Sequence, residues 1–405
     1  MILRRLLNSP TAAGGGIGVP DTLSWRDVFL RSGSHAGKTV TPETSMAVPA
    51  VWGAMRILTD SIGSMPLITY ERTAGNGRAE AFSNPTYRLL RQRPNPEMTG
   101  TLVWRLVMFH LNAWGNSYLS KRFDSSGKLV ELWPIEPNRV RVQRRGGVKQ
   151  FIVADTFWNW NYDKPYTSSE ILHIQGISFD GLVGLSPIEA ARQAIGLGLA
   201  LDEYTSSFFA RGAVPSVVLQ KKDGKLDAGV ADRLAKDWKR KYGGLRNAHA
   251  TAVLEEGLEA KVLSFPMRDL QFVEQMQWTV GDVARVFNLP ASKLKVAVGD
   301  SMTYKTAETE TLDLLNCVQG WLTLIEESLS GDPDVCPVKP NRPGMFAEFK
   351  ADAILRVDAK TRAEYYSRAT AGKPWMRGSE VRGPEGLSPD ATVDELAAIP
   401  PSPIP

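Results

Sequence analysis

The sequence predicts an α+β protein of more than one domain, and three observations support this class. Apolar residues recur at helical spacing in several long segments, above all in 46–65 and 305–329. Between them, residues 118–175 change to the two-residue alternation of half-buried strands. The length of 405 residues exceeds the usual size of one domain. The hydrophobic fraction of 43% and the charged fraction of 23% are those of ordinary globular proteins, which excludes a wholly disordered or collagenous chain.

The first 180 residues alternate between predicted helices and strands. Residues 1–45 mix glycine, serine and threonine without a sustained period and are predicted to form a flexible arm. The helix over 46–65 is expected to take Ser45 as its N-cap and Pro49 in its first turn. The other elements predicted here are a strand over 66–72, helices over 84–91 and 101–114, and a β-rich stretch over 118–175 with a hairpin turn at Gly146 and Gly147.

The remaining sequence predicts two long helices that flank a small α+β insert. The first long helix covers 187–211 and contains Gly196 and Gly198. Because a glycine costs about 1 kcal/mol in a helix interior, this pair predicts a close neighbour, either within the chain or in another subunit. The later elements are a strand within 215–225, a helix over 226–242, a hairpin around 256–257, helices over 268–288 and 305–329, a strand over 346–354, a helix over 358–371 and an acidic tail after Arg382.

Several function classes find no support in the residues. The two cysteines and four histidines show no metal-ligand spacing, so no metal site and no cofactor are expected. So few thiols indicate a reducing cytoplasm by default. The most apolar long stretch, 182–201, contains Glu189 and Arg192 and is therefore not expected to cross a membrane. The net charge of +4 is too small to indicate nucleic-acid binding by the whole chain, so any basic surface must be local.

No catalytic motif is complete, and the chain is expected not to be an enzyme. The segments GISFD and GLSPI both lack the last glycine of a hydrolase nucleophile elbow. Ser186 precedes Pro187 and is better interpreted as a helix N-cap than as a nucleophile. His173 lies in an alternating strand, where a packed histidine is more common than a catalytic base.

Two local concentrations of basic residues are candidates for binding. Residues 221–246 hold nine Lys or Arg against four acidic residues, which indicates either a solvated helix face or a surface for an acidic partner. The candidates there are Lys221, Lys222, Trp238, Lys239, Arg240, Lys241 and Arg246. The second concentration follows the helix over 268–288, and its side chains are types that contact phosphates: Lys293, Lys295, Ser301, Thr303 and Lys305. On spacing alone this second segment indicates only a mobile loop.

Ten short segments, in order from about 46 to 390, resemble the portal, or head-to-tail connector, proteins of tailed bacteriophages. They are LLRQRPNPEMT at 89–99, AWGNSYLSKRF at 113–123, LWPIEPNRVRV at 132–142, LHIQGISFDGLVGLSPIEAAR at 172–192, FFARGAVPSVVL at 208–219, VLEEG at 253–257, LQFVEQM at 270–276, VARVFNLPASKL at 283–294, TYKTAETET at 303–311 and GSEVRGPEGLSP at 378–389. Each segment alone is weak, but their order and spacing make the resemblance specific. The short acidic end after Arg382 departs from the family and does not fit an extended helical barrel above the crown.

The resemblance implies a portal-type fold whose parts follow one another along the chain. After the flexible arm over 1–45 these parts are an α/β wing over 46–185, a first stem helix over 186–212, a small α+β clip over 213–267, a second stem helix over 268–288, a tunnel loop over 289–304, a long helix and linker returning to the wing over 305–344, a helical crown over 345–384 and an acidic, proline-rich tail over 385–405. Under this resemblance Gly196 and Gly198 are expected to let neighbouring stem helices approach closely.

The resemblance also implies a mechanical function in the virion. Portals form a ring, usually a dodecamer, at one capsid vertex, and double-stranded DNA passes through the channel without sequence specificity during packaging and ejection. The terminase large subunit docks at the clip, the head–tail adaptor later replaces it, and the major capsid protein surrounds the ring, with assembly in the host cytoplasm. Two alternatives are another head–tail joining protein, such as an adaptor or minor head protein, and a nucleic-acid-processing enzyme such as a nuclease.

Overall fold

The computed structural model describes residues 34–73, 77–154, 164–210, 216–221, 229, 232–233, 236–237, 258–263, 280–294, 307–337, 344–351, 359–371 and 376–382. In these ranges the chain is an α+β protein, as predicted. The helices are α1 (Pro42–Ser45), α2 (Pro49–Ser64), α3 (Pro85–Arg91), α4 (Gly100–Trp114), α5 (Pro187–Ala190), α6 (Arg192–Ala210), α7 (Ala307–Ser330), α8 (Ala359–Thr370) and α9 (Gly378–Arg382). Residues 280–286 are also helical.

The strands form two three-stranded sheets and two ribbons, all antiparallel. They are β1 (Leu67–Arg72), β2 (Arg78–Glu80), β3 (Asn116–Phe123), β4 (Leu129–Ile135), β5 (Val140–Arg145), β6 (Val148–Val153), β7 (Ile171–Gln175), β8 (Ser216–Lys221), β9 (Leu258–Leu263) and β10 (Met345–Phe349). One sheet has the order β10-β1-β2 and the other β4-β3-β7, while β5 pairs with β6 and β8 with β9. The strand predicted at 346–354 therefore becomes the outer partner of β1, far from it in sequence.

Both faces of the β4-β3-β7 sheet are covered. Leu119, Leu132 and Leu172 point to the main core, which also holds the apolar faces of α2, α4 and α7. Their strand neighbours Tyr118 and Ile171 point to the other side, where they form a second core with residues of the β5–β6 ribbon. This alternation is the two-residue period that the sequence shows over 118–175.

Local signals set most element boundaries. Asn84 and Thr99 cap α3 and α4 by accepting hydrogen bonds from the backbone amides of Thr86 and Leu102. Gly115 ends α4 in the left-handed conformation, with φ of 72°. Gly146 and Gly147 both have positive φ, 59° and 80°, which confirms the predicted hairpin turn between β5 and β6.

Three predicted boundaries are wrong. Ser45 is the last residue of α1, and Val48 precedes the first turn of α2 without a side-chain cap. The helix expected over 187–211 is broken at Ala191, whose ψ is 4°. Of the hairpin predicted around 256–257 only the second strand lies within the described residues, as β9, which pairs with β8. The last part of the predicted flexible arm, residues 34–45, is structured.

Residues 34–40 lie along α6 instead of forming part of a free arm. The backbone amide of His35 donates to Gln193 Oε1 at 2.8 Å, and Lys38 forms an ion pair with Glu203. Ser34 occupies the space beside Gly196, where a Cβ atom would lie 2.3 Å from the Ser34 Cβ. Within one chain, the close neighbour of Gly196 is therefore Ser34, which is the intramolecular alternative of the two predicted from the sequence. Gly198, on the same helix, is also buried.

A buried ion pair joins the β4-β3-β7 sheet to the turn after α7. The Lys121 ammonium lies 2.7 Å from an Asp332 oxygen and 2.8 Å from an Asp334 oxygen, and the lysine side chain is 1% exposed. The other Asp332 oxygen accepts hydrogen bonds from the amides of Asp334 and Val335. Because both carboxylates converge on one cation, the turn is held against β3.

Replacing Lys121 with alanine is expected to destabilise the protein by about 3–5 kcal/mol, because two carboxylates would stay near the core without a counter-charge. Chemical denaturation of the purified variant measures this. Lys128→Ala, at the exposed β3–β4 turn, is the matched control and is expected to change the free energy of unfolding by less than about 0.5 kcal/mol. Equal stability of the two variants would contradict the structural role of the pair.

Candidate functional site

The junction between α4 and α5 is built from three glycines in backbone contact. A Cβ atom on Gly115 would lie 2.0 Å from the Leu185 carbonyl oxygen, and one on Gly184 would lie 2.0 Å from the Gly115 carbonyl oxygen. That same Gly115 oxygen accepts a hydrogen bond from the amide of Gly176 at 2.9 Å. Three separate chain segments therefore meet where no side chain fits, directly before the long helix of the predicted stem.

Asn116 fastens this junction with its whole side-chain amide. Its nitrogen donates to the carbonyl oxygens of Trp114 and Gly184, both at 2.9 Å. Its oxygen accepts from the Gly184 amide at 2.7 Å and lies 3.0 Å from His173 Nε2. Asn116 is 3% exposed, so loss of these hydrogen bonds would leave buried polar atoms without partners.

His173 is a packed strand residue, as predicted. Its ring stacks on Tyr118 with centroids 4.5 Å apart and meets Phe151 edge-on. Burial, with a smaller contribution from the positive charge of Lys149, lowers the pKa of His173 to about 3. The imidazole is therefore neutral at physiological pH, and its Nε2 donates to the Asn116 oxygen.

Ser186 is the predicted N-cap and also ties the helix to α4. Its hydroxyl oxygen accepts from the Glu189 amide at 3.2 Å, and its hydroxyl donates to the Ala113 carbonyl at 2.6 Å. The hydroxyl is thus used in structure, which agrees with the cap interpretation over the nucleophile. In the described ranges no three His, Cys, Asp or Glu side chains lie close enough together to hold a metal ion. None of the helices described there has the length and apolar character of a membrane span.

The start of the predicted tunnel loop is anchored in the main core. Leu289 is 6% exposed, and Leu294 packs against α2, with its Cδ2 3.3 Å from the position of a Cβ on Gly53. Asn288 adopts a left-handed conformation with φ of 52° and donates from its side chain to the Cys317 carbonyl on α7 at 3.3 Å. The base of the loop is therefore attached to both α2 and α7.

Lys293 is the one predicted loop candidate within the described residues. It lies in the 3-10 turn Ala291–Leu294, where its amide donates to the Pro290 carbonyl, and it is half-buried. The other loop candidates, Lys295, Ser301, Thr303 and Lys305, lie outside the described residues. The same holds for the insert candidates Lys222, Trp238, Lys239, Arg240, Lys241 and Arg246, while Lys221 is described only as the last residue of β8. Whether these candidates lie close together therefore stays a prediction.

Three structural features were not predicted from the sequence. The Asn116 amide, the Lys121 ion pair and the exposed arginines of the β5–β6 ribbon gave no spacing signal of their own. The segments AWGNSYLSKRF and LWPIEPNRVRV that carry the family resemblance contain members of all three. The resemblance of these segments to the family was therefore the only sequence signal that could have pointed to these residues, and it does not predict what each side chain contacts.

Comparison with known proteins gives a consistent result across most of the chain. The family model for the phage portal protein matches residues 49–386. The chain is 29% identical to the probable portal protein of Streptomyces phage phiC31 over 365 residues, which is 87% of this chain and 78% of that protein. It is 24% identical to the portal protein of Enterobacteria phage HK97 over 386 residues, 93% of this chain and 87% of that protein.

Solved structures show a similar fold. The HK97-family phage portal protein from Corynebacterium diphtheriae has a TM-score of 0.57 and 18% identity, and the match covers 78% of this chain and 96% of that one. A chain from the neck of a native gene transfer agent particle, computed with C12 symmetry, has a TM-score of 0.54 and 20% identity. That match covers 90% of this chain and 99% of the other.

Gly184→Ala is expected to destabilise the protein by about 3 kcal/mol, because the added methyl group would overlap the Gly115 carbonyl. Gly320→Ala is the control, since Gly320 lies inside α7 with nothing within 4 Å of its Cβ position. That change is expected to stabilise the helix by about 0.5–1 kcal/mol. Thermal unfolding of both variants tests the junction, and a stable Gly184→Ala protein would show that the glycine contact is not required.

Proposed function

Since the chain belongs to the phage portal protein family, we propose that it is the subunit of the ring at one capsid vertex through which DNA is packaged and ejected. The observation that carries this function is the match of the family model over residues 49–386. The role is structural and mechanical, so it requires no reaction and no cofactor.

The parts proposed for the ring subunit are those that the family resemblance implies. The proposed wing over 46–185 holds the β4-β3-β7 sheet and the strands β1 and β2. Their partner β10 comes from the stretch 345–384, so the start of the predicted helical crown is a strand of the wing sheet. The helices α5 and α6 are proposed to form the first stem helix. The clip over 213–267 contains the β8–β9 ribbon, and the second stem helix ends with helical residues 280–286. The long helix α7 returns to the wing, where Lys121 holds its following turn, and α8 and α9 belong to the crown.

The ring is closed by one heterologous contact repeated around an axis. A dodecamer is the proposed number of subunits, which is supported by the C12 symmetry used for the gene transfer agent neck whose chain has a similar fold. Such closure requires every subunit to hold its helices at the same angle. The glycine junction and the Asn116 amide supply this rigidity between α4 and α5.

The tunnel loop over 289–304 is proposed to face the passing DNA. Its base is fixed by Leu294 on α2 and Asn288 on α7, so the lysines that follow are presented from a firm support. Lys293, Lys295 and Lys305, with Ser301 and Thr303, would form rings of weak phosphate contacts in the assembled channel. Contacts to phosphates alone are independent of sequence and weaken with salt, which suits DNA that must keep moving.

The proposed partners act at the two ends of the subunit. The basic clip, with Lys221, Lys222, Trp238, Lys239, Arg240, Lys241 and Arg246, is proposed to dock the terminase large subunit and later the head–tail adaptor. The wing is proposed to contact the major capsid protein. The subunit would assemble in the host cytoplasm and remain in the virion, without a membrane partner.

Purified full-length protein is expected to form closed rings with a central hole. Twelve chains of 44.6 kDa give a particle of about 535 kDa, which mass photometry resolves from a monomer. Negative-stain images of the same sample show whether the hole is present. A protein that remains monomeric at micromolar concentration and above would contradict the proposed function.

Two charge variants in one packaging assay separate the loop from the clip. Lys293→Ala with Lys295→Ala is expected to leave rings and terminase docking intact while changing the packaging rate or the retention of DNA. Lys239→Glu, Arg240→Glu and Lys241→Glu together are expected to leave rings intact but to prevent packaging from starting. Each variant serves as the control for the other, and normal packaging by either one would show that its basic residues are only solvated.

A further inference from the structure

The β5–β6 ribbon has one face on the second core and one face in solvent. Its register places Arg141 opposite Ile152, Gln143 opposite Gln150 and Arg145 opposite Val148. These six residues share the outer face, because side chains alternate along a strand. The inner face carries Val142, Phe151 and Val153, which pack against Tyr118. The inner face of the ribbon is therefore packed against the second core, while its outer face is in contact with solvent.

Every charged residue of the ribbon is basic. Residues 137–153 contain five Lys or Arg and no acidic residue. Arg141, Arg144 and Arg145 are exposed, and none of them forms an ion pair with a carboxylate in the described part of the chain. The preceding carboxylate, Glu136, is already bound by Arg139 at 2.8 Å. Arg141 and Arg145 thus project from the outer face and Arg144 from the opposite face beside the tip, and in the described part of the chain none of the three has a carboxylate partner.

Two like charges also face each other across the strands. Arg144 is the direct partner of Lys149, an arrangement that destabilises a ribbon. Burial first, and the charge of Arg144 second, lower the pKa of Lys149, whose ammonium lies 3.2 Å from Gln175 Oε1 and over the ring of Phe151. An anion bound at this end of the ribbon would relieve the repulsion.

We propose that the outer face and tip of the β5–β6 ribbon bind the phosphate backbone of duplex DNA at a site separate from the channel. Arginine guanidinium groups match phosphate oxygens in two-point hydrogen bonds, and Gln143 and Gln150 add neutral donors between them. Gly146 and Gly147 leave the tip without side chains, so a sugar-phosphate backbone can approach closely.

Duplex DNA fits this surface better than an acidic protein does. Protein interfaces centre on buried aromatic or other large apolar anchors, whereas Val148 is the one large apolar residue that is mostly exposed on the outer face. Apart from the half-buried Ile152, the rest of that face presents hydrogen-bond donors and positive charge, which are the groups that contact phosphates. Binding there is therefore independent of DNA sequence and strongly dependent on salt.

Relaxed circular DNA tests the site with the full-length protein. A closed circle cannot be threaded through an assembled ring, so its binding reports on outer surfaces and not on the channel. The test variant combines Arg141→Gln, Arg144→Gln and Arg145→Gln. The control combines Arg56→Gln, Arg88→Gln and Lys128→Gln, which removes the same charge from exposed positions scattered elsewhere. Negative-stain images establish ring formation for both, so failure of the proposed ring is seen separately.

The test variant is expected to bind circular DNA at least about tenfold more weakly than the control at 0.1 M salt. The slope of log K against log salt concentration should become shallower by about 2–3, at roughly 0.9 for each lost phosphate contact. Affinity and slope equal to those of the control would overturn the proposal. Unchanged DNA binding with lost binding of polyglutamate would also overturn it, because the ribbon would then be a surface for acidic protein.

Discussion

The Lys121 ammonium, held between Asp332 and Asp334, is the contact on which the arrangement of distant segments depends. It joins β3 to the turn after α7, across more than two hundred residues of sequence. Burying a lysine is favourable only when its charge is matched closely, and here two carboxylates do so. The amides of Asp334 and Val335 in turn donate to the other Asp332 oxygen and hold that carboxylate in place. Because α7 is fixed to the sheet at this end, its middle can also hold Asn288 and the base of the proposed channel loop.

A second rigid region lies at the other end of the same sheet. The glycine junction brings together the end of α4, the residue after β7 and the segment before α5 through backbone atoms alone. Backbone contacts of this kind have no rotamers to change, and Asn116 occupies the remaining hydrogen-bonding positions. The ring proposed for this protein needs identical subunits, and two such fixed points define the orientation of the long helices within each one.

Sequence reasoning predicted the elements better than their partners. The strand over 66–72, the helices over 84–91 and 101–114, and the turn at Gly146 were predicted within a residue or two, because each depends on local spacing or on a capping residue. The ion pair of Lys121 could not be predicted from the sequence, because its partners lie more than two hundred residues later in the chain and no local pattern identifies them. The structure of 34–45 was missed for the same reason, because its contacts with Gln193 and Glu203 are distant. For the candidate site, the family resemblance predicted the loop, while its physical anchors at Asn288 and Leu294 required the packing of α2 and α7.

The break at Ala191 gives the long helix a geometry that an unbroken helix would lack. The four residues of α5 are fixed to α4 through Ser186, whereas α6 starts beyond the break at Ala191. Its nineteen residues make a lever of about 28 Å, so a rotation of roughly 10° at Ala191 moves the far end by about 5 Å. The direction of α6 is therefore set by two features together, the backbone angles of Ala191 and the contacts of residues 34–40 with Gln193 and Glu203.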